Sequence, residues 1–188
     1  YSLSGFIASI AGAKPLVVSL MGSDVKASKK HRLIIKAFGY FFKWKAIIVK
    51  SEEMSKILGL KNTFVIPNGV DIERFHAMNK KECQEVLKWD LKKTHLLFAA
   101  NPIRSEKNFK LAKQSFNNLY RSDVILHTLE NIPNSEMPLW YNAADIILLT
   151  SLWEGSPNVI KEAMACNRPI LATNVGDIKW VIGDTVGC

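Results

Sequence analysis

Two hydrophobic patterns alternate along the chain. Short unbroken apolar runs read as buried strands: "PLVVSL" (15–20), "AIIVK" (46–50), "TFVI" (63–66), "HLLFAA" (95–100), "DVILHT" (123–128), "DIILLT" (145–150) and "PILAT" (169–173). Between them lie stretches of helical character: Lys29–Phe42, "EEMSKIL" behind a capping Ser51, Lys80–Trp89, Asn108–Tyr120, Ser135–Asn142, Asn158–Cys166 and Asp177–Ile182. The opening residues read as the tail of a helix, and Gly22-Ser23-Asp24 as a turn after the first strand. Strands without polar alternation, interleaved with helices, predict an α/β protein with parallel sheets covered on both faces.

The pattern starts inside one element and stops at Cys188 as another strand begins, so the chain is expected to be a segment of a larger two-domain protein. The turn cluster "PNGVD" (Pro67–Asp71) marks the expected hinge.

Composition narrows the setting. Hydrophobic residues make up 48% and charged residues 22%, which fits a packed globular chain and argues against wholesale disorder. Lys and Arg outnumber Asp and Glu by 25 to 17, a formal charge of +8 that favours anionic partners such as phosphates, nucleic acid or acidic lipid surfaces. The three cysteines, Cys83, Cys166 and Cys188, have neither metal-ligand spacing nor an even disulfide framework, and no Asn-X-Ser/Thr site is present. A reducing, cytoplasmic compartment is expected. The apolar stretch Leu33–Val49 is broken by Lys36, Lys43 and Lys45 and falls short of the ~20 residues of a spanning helix. The beginning lacks the basic region of a signal peptide.

Candidate chemistry concentrates in "DIILLTSLWEGSPNVIKEAMAC". In an open parallel sheet, ligands bind outside the carboxyl ends of the strands, where Glu154 would sit. Pro157 suits a first helical position with Ser156 before it as a candidate cap, and the helix then begins near Asn158. The unpaired N–H groups of such a helix start suit a phosphate. Glu162 follows Glu154 by 162 − 154 = 8 positions, roughly a turn into the helix. Ionised carboxylates are pure acceptors, fit to take sugar hydroxyls, so a nucleotide sugar with its diphosphate between the two is the expected ligand. Two solvated helix-start charges are the plainer reading of the same pair.

With their flanks, these residues resemble the retaining glycosyltransferases of the GT-B fold, in the large family 4 (glycosyl transferases group 1). "EGSPNVIKEAMA" is similar to that family's E-x7-E motif, "VIPNGVDIERF" to the hinge into its second domain, and "SEEMSKIL" to the preceding helix. "NAADIILLTS" and "RPILATNVGD" resemble the strands on either side of the motif, and the series covers most of Pro15 to Gly183. The resemblance implies Rossmann-like parallel sheets. Residues 1–62 would be the C-terminal part of the acceptor-side domain, and residues 63–188 a nucleotide-sugar-binding domain truncated at its end.

It also implies site roles. Glu154 would contact the donor sugar's hydroxyls, with the N–H groups of Gly155, Ser156 and Asn158, around Pro157, near the sugar and phosphates. Glu162 would hold the ribose. Lys107, in "ANPIRSEKNF", matches the family's diphosphate lysine; the family's arginine position is taken by Pro102, and Arg104 is the shifted substitute. Cations there would stabilise the charge that builds on the departing diphosphate. No Asp-x-Asp motif occurs, so no metal and no cofactor is expected beyond a UDP- or GDP-linked donor. Gly22 and Asp24 match a first-domain turn near the donor sugar, while Met21 stands where that turn often carries a His.

The expected function is sugar transfer to an acceptor hydroxyl with retention, in cell-surface polysaccharide or glycolipid synthesis, with a sugar or lipid-linked acceptor as partner; the truncated chain alone is expected to be poorly active or inactive. The alternatives are an epimerase of the same fold and a non-catalytic nucleotide-sugar binding module. Glycoside hydrolysis fits poorly, because Glu162 would lie beside phosphate-directed N–H groups. Nucleic-acid binding rests on charge alone, without an aromatic-interleaved basic patch. "KKHRLIIKAFGYFFKWK" is either a basic segment at the inner face of a membrane or a helix with solvated lysines. His31, His76, His95 and His127 are expected to be structural, and Asp177 a helix cap.

Overall fold

The computed structural model describes residues 2–26 and 28–185. The chain divides into two compact units, one made of the described residues up to Asn68 with Glu154–Ser156, the other of Gly69–Trp153 with the residues from Pro157 on.

In the first unit the order is α1 (Ser2–Ile10), β1 (Val17–Ser19), α2 (Gly22–Lys26), α3 (Lys29–Phe41), β2 (Ala46–Val49), α4 (Glu52–Leu58) and β3 (Thr63–Val65). The strands form a parallel sheet in the order β1-β2-β3, with Val18 opposite Ile47 and Ile48 opposite Phe64. Its core is Val18, Leu20, Val25, Ile35, Trp44, Ile47, Val49, Met54 and Leu58. Ser51 caps α4 by accepting the Met54 N–H, as its position predicts. The α4 chain then leaves through Gly59 at φ 61°, a left-handed conformation that glycine adopts without steric cost.

Two expectations are corrected here. Gly22-Ser23-Asp24 is not an open turn but the start of α2, nucleated because Asp24 Oδ2 accepts the Met21 N–H at 2.8 Å. A domain beginning at residue 63 would take β3 with it. Instead β3 pairs with β2, and the compact division falls between Asn68 and Gly69, inside the Pro67–Asp71 turn.

In the second unit follow α5 (Lys80–Val86), β4 (Thr94–Phe98), a 3-10 turn (Ser105–Lys107), α6 (Phe109–Asn117) and β5 (Val124–Thr128). A second 3-10 turn (Asn134–Glu136) then leads into α7 (Met137–Ala143), β6 (Ile146–Leu149), α8 (Asn158–Ala165), β7 (Ile170–Ala172) and α9 (Ile178–Ile182). The parallel sheet has the order β5-β4-β6-β7. Leu97, Ile147, Leu149, Tyr141, Ile160 and Ala163 form the centre of its core.

The α5 helix stops before the expected Trp89. Lys88 takes a φ of 57°, and the Trp89 N–H turns back to the Gln84 carbonyl at 2.8 Å. That turn lays the Trp89 ring on His127, with centroids 3.7 Å apart and planes 8° from parallel. Asp145 fastens two elements to the start of β4: one oxygen meets Lys80 Nζ at 2.5 Å and the other accepts the His95 N–H at 2.7 Å. Cys83 and Cys166 are free and buried. Cys188 and the strand expected at the chain's end lie outside the described residues.

Candidate functional site

The strand order of the second unit fixes where a ligand can enter. From β4 the chain crosses to β5 on one side, then returns to β6 on the other side of β4. The loops leaving β4 and β6 therefore part in opposite directions at the carboxyl ends of neighbouring strands, the crevice where open α/β sheets bind ligands. Hydroxyl groups tie these loops together. The Thr150 hydroxyl, just past β6, donates to the carbonyls of Lys107 (3.1 Å) and Asn108 (3.0 Å), and the Leu152 N–H donates to the Glu106 carbonyl at 2.9 Å. After β7, the Thr173 hydroxyl donates to the carbonyl of buried Ser151 at 2.7 Å. Thr150→Val keeps the shape and removes the shared donor. It is expected to cost about 1–2 kcal/mol in a denaturant titration, since two carbonyls lose one hydrogen bond.

Lys107 ends the 3-10 turn of the β4 loop and is 9% exposed. The next residue, Asn108, has a φ of 51° and swings the chain into α6. Arg104, the shifted candidate, points elsewhere: its Nε and Nη2 reach Glu106 Oε1 at 2.7 and 2.5 Å. A backbone hydrogen bond first, and then Arg104, hold the Glu106 carboxyl below its ordinary range. The guanidinium charge is thus locally matched, and the two candidates differ in burial: Lys107 is buried, whereas the Arg104 side chain is 58% exposed.

Pro157 is itself the N-cap of α8, and the helix begins at Asn158. The expectation of Pro157 as first helical residue and Ser156 as cap is corrected by one position. The φ of −71° and ψ of 123° at Pro157 are extended geometry, and a proline has no side-chain acceptor to cap with. Glu162 lies one turn in, and its Oε2 accepts the Tyr141 hydroxyl at 2.8 Å. Burial pushes the Glu162 carboxyl above its ordinary value, while the Tyr141 hydrogen bond and the charge of Arg74 pull it down. Burial and the neighbouring Glu162 drive the Tyr141 phenol well above its own range. Arg74 is held by Asn134 Oδ1 at 2.9 Å, with its guanidinium 5.2 Å over the Phe75 ring. Glu162 is thus a half-buried carboxylate with a phenol and a cation around it, which the plainer reading of a solvated helix-start charge does not describe. Sequence reasoning missed Tyr141 and Arg74, which stand 21 and 88 residues from Glu162 (162 − 141 and 162 − 74) with no local pattern joining them.

Asp177 occupies the cap position of α9 but makes no side-chain cap bond; its Oδ2 lies 3.9 Å from Lys161 Nζ, so it ties α9 to α8 by charge.

The remaining candidates belong to the first unit. Glu154 is half-buried, and Gly155 and Ser156 are buried. A Cβ added at Gly22 would lie 3.0 Å from the Gly155 nitrogen, and one added at Gly155 would lie 3.1 Å from the Gly22 Cα. A side chain at either position would force the facing backbone to give way by a few tenths of an ångström.

The histidines have structural partners. His95 Nε2 faces the Asp90 carbonyl at 2.9 Å and so donates; its Nδ1 then accepts from His127 Nε2, also at 2.9 Å. His31 meets the Ser2 hydroxyl and His76 the Glu73 carbonyl. Among the described residues, no group of three His, Cys, Asp or Glu side chains is placed to hold a metal ion. Nor is any helix among them long and apolar enough to cross a membrane.

Comparison with known proteins bears on this site. The sequence profile of the family described as "Glycosyl transferases group 1" matches residues 76–187. TuaC of Bacillus subtilis, named as a teichuronic acid biosynthesis glycosyltransferase, is 24% identical over 192 residues, which span 90% of this chain and 49% of TuaC. An Escherichia coli enzyme named UDP-Gal:alpha-D-GlcNAc-diphosphoundecaprenol alpha-1,3-galactosyltransferase is 29% identical over 143 residues, 59% of this chain and 36% of the enzyme. This chain therefore spans half or less of these relatives. Among solved structures, Anabaena Alr3699/HepE in complex with UDP and glucose superposes with a TM-score of 0.74 at 18% identity, covering 98% of this chain and 60% of that one. The likeness establishes an α/β fold of the GT-B glycosyltransferase kind, with parallel Rossmann-like sheets.

Proposed function

Because this chain belongs to the glycosyl transferases group 1 family, we propose that the protein moves a sugar from a nucleotide-diphospho-sugar to an acceptor hydroxyl, with retention at the anomeric carbon. The observation that carries the reading is Glu162: a half-buried carboxylate on α8, held from one side by Tyr141 and facing the charge of Arg74. Such a group suits the two hydroxyls of a ribose, each of which donates to a carboxylate oxygen. The donor's diphosphate would take the first N–H groups of α8, at Asn158 and beyond, together with the Lys107 ammonium. Glu154, with the backbone of Gly155 and Ser156, would take the donor sugar's hydroxyls. Lys107, buried at the end of its 3-10 turn, would be the principal cation, and the exposed Arg104 side chain a secondary one.

In this reading the second unit is the nucleotide-sugar domain and the residues up to Asn68 are part of the acceptor-side domain, whose Gly22 turn would lie near the donor sugar. The donor is a UDP- or GDP-sugar, and the cations at the diphosphate do the work that a bound metal does elsewhere. A cell-surface polysaccharide or glycolipid acceptor is supported by what the relatives are named for. Exposed Lys29, Lys30, Leu33 and Ile34 on α3 support peripheral contact with an acidic membrane surface. Met21, which has no imidazole to offer, favours a second reading, a nucleotide-sugar binding module without turnover. Isomer formation from donor alone would instead identify an epimerase.

Calorimetric titration of the full-length protein with UDP and GDP tests the reading. Glu162→Ala is expected to weaken the nucleotide that binds by at least ~10-fold, the scale of a charge-assisted hydrogen bond. Affinity should also fall as the solution is acidified, because the ionised carboxylate accepts the ribose hydroxyls more strongly than the neutral acid does. Since burial raises the Glu162 carboxyl, the fall should begin at a higher pH than an exposed glutamate would give. An unchanged Kd in Glu162→Ala would remove the basis of the proposal.

A further inference from the structure

Tyr141 is among the largest fully buried side chains, with no exposed surface, and it sits in the core on α7. A buried phenol needs a partner for its hydroxyl, and a phenylalanine would fill the same space without that demand. The partner here is a group on another helix, Glu162 Oε2 at 2.8 Å, at the one carboxylate to which the proposed function assigns the nucleotide's ribose. We propose that Tyr141 is the positioning residue of the nucleotide site: its hydroxyl fixes the Glu162 side chain and keeps the carboxylate ready to accept from the ligand. This rests on the reading of Glu162 given above.

The chemistry is directional. A phenol donates and a carboxylate accepts, so the bond is made with ionised Glu162 and is weakened when Glu162 takes a proton. One lone pair of Oε2 is used, and the other lone pairs of the carboxylate stay open to ribose hydroxyls. The titratable groups facing Glu162 are Tyr141 from α7, Arg74 from the segment before α5, and the Cys166 thiol on its own helix. Burial favours the neutral acid there; Tyr141 and Arg74 favour the ionised one. Tyr141 thus offsets the penalty of keeping a half-buried binding carboxylate ionised, and it holds the rotamer before the ligand arrives.

Tyr141→Phe removes the donor and leaves the ring. In the full-length protein it is expected to weaken UDP or GDP, whichever binds the parent, by about 10-fold at pH 7.5. The acid limb of affinity against pH is expected to move to higher pH. Loss of packing alone would lower the melting temperature and leave that limb where it was. If Tyr141→Phe folds poorly, 3-fluorotyrosine at position 141 serves instead: as a stronger donor it should move the limb to lower pH. Nucleotide binding lost in Glu162→Ala, with affinity and acid limb unchanged in both position-141 variants, would overturn the role of Tyr141 and spare that of Glu162. Unchanged binding in Glu162→Ala would overturn both.

Discussion

Lys107→Ala is expected to lower turnover of the full-length protein about 10²–10³-fold, the loss typical when one preorganised charge is removed from a developing anion. Nucleotide affinity should fall much less. As the donor's glycosidic bond breaks, negative charge grows on the departing diphosphate, so a cation there interacts more strongly in the transition state than in the ground state. Lys107 is suited to this because its loop does not wander: its carbonyl and that of Asn108 are bound by Thr150, and the Glu106 carbonyl by Leu152. Lys107→Arg keeps the charge and should lose less. Arg104→Ala should lose least, since that guanidinium is exposed to water whereas Lys107 is buried. The check is initial rate against donor concentration for the three variants. Equal losses for Arg104→Ala and Lys107→Ala would show that the ordering is wrong.

The second large effect is on stability in acid. Desolvation first, and then the neighbouring His95, lower His127 from 6.5 to about 4. Above pH 6.5 neither folded nor unfolded His127 carries a proton, and its contribution to stability is fully present. As the pH falls below 6.5 the unfolded chain takes up a proton that the folded one refuses, and stability is lost until about pH 4. At 1.36 kcal/mol per pH unit the loss is about 2 kcal/mol by pH 5 and about 3 kcal/mol in total. The cause is visible in the packing: the Trp89 ring stacked on one face and the fully buried His95 at Nε2 keep water from the imidazole, so its charged form is poorly solvated. His127→Gln can still donate to His95 but does not titrate. Denaturant unfolding at pH 7.5 and pH 5 should therefore show a smaller pH dependence in the variant by about 2 kcal/mol, although its stability at pH 7.5 is lower for want of the stacked ring. Equal pH dependence in the two proteins would rule out His127 as the acid-sensitive group.

The centre of the second unit is legible in the sequence because β4 and β6 are buried on both faces. Such strands appear as unbroken apolar runs, and "DIILLT" and "HLLFAA" mark β6 and β4 to within a residue or two. Helix ends are less legible. The αL turn at Lys88 has no glycine to announce it, and it exists because Trp89 is wanted on His127 and Trp140. The short α2 looks like a turn in sequence, and its helical form depends on Asp24 accepting a backbone N–H three residues earlier. The domain edge was readable as a Pro-Asn-Gly cluster, but the allegiance of β3 is a matter of pairing, which no local pattern shows.

The two glutamates and Lys107 of the proposed site are candidates that spacing and resemblance alone supply. Their support is not legible in the sequence. Thr150 and Lys107 are 43 residues apart, and the bond between them follows from β4 and β6 being sheet neighbours. Tyr141 reads as a core aromatic, and only the packing of α7 on α8 turns its hydroxyl toward Glu162. Arg104, already the weaker match in the same loop, proves to be paired with Glu106 and largely exposed, which the sequence does not show.

The most direct test of the account is a crystal structure of the full-length protein with UDP or GDP bound. Ribose hydroxyls are expected within hydrogen-bond distance of Glu162, with the Tyr141 bond to Oε2 intact and the diphosphate at the start of α8 beside Lys107. A nucleotide bound with its ribose away from Glu162, or its phosphates away from α8, would contradict it.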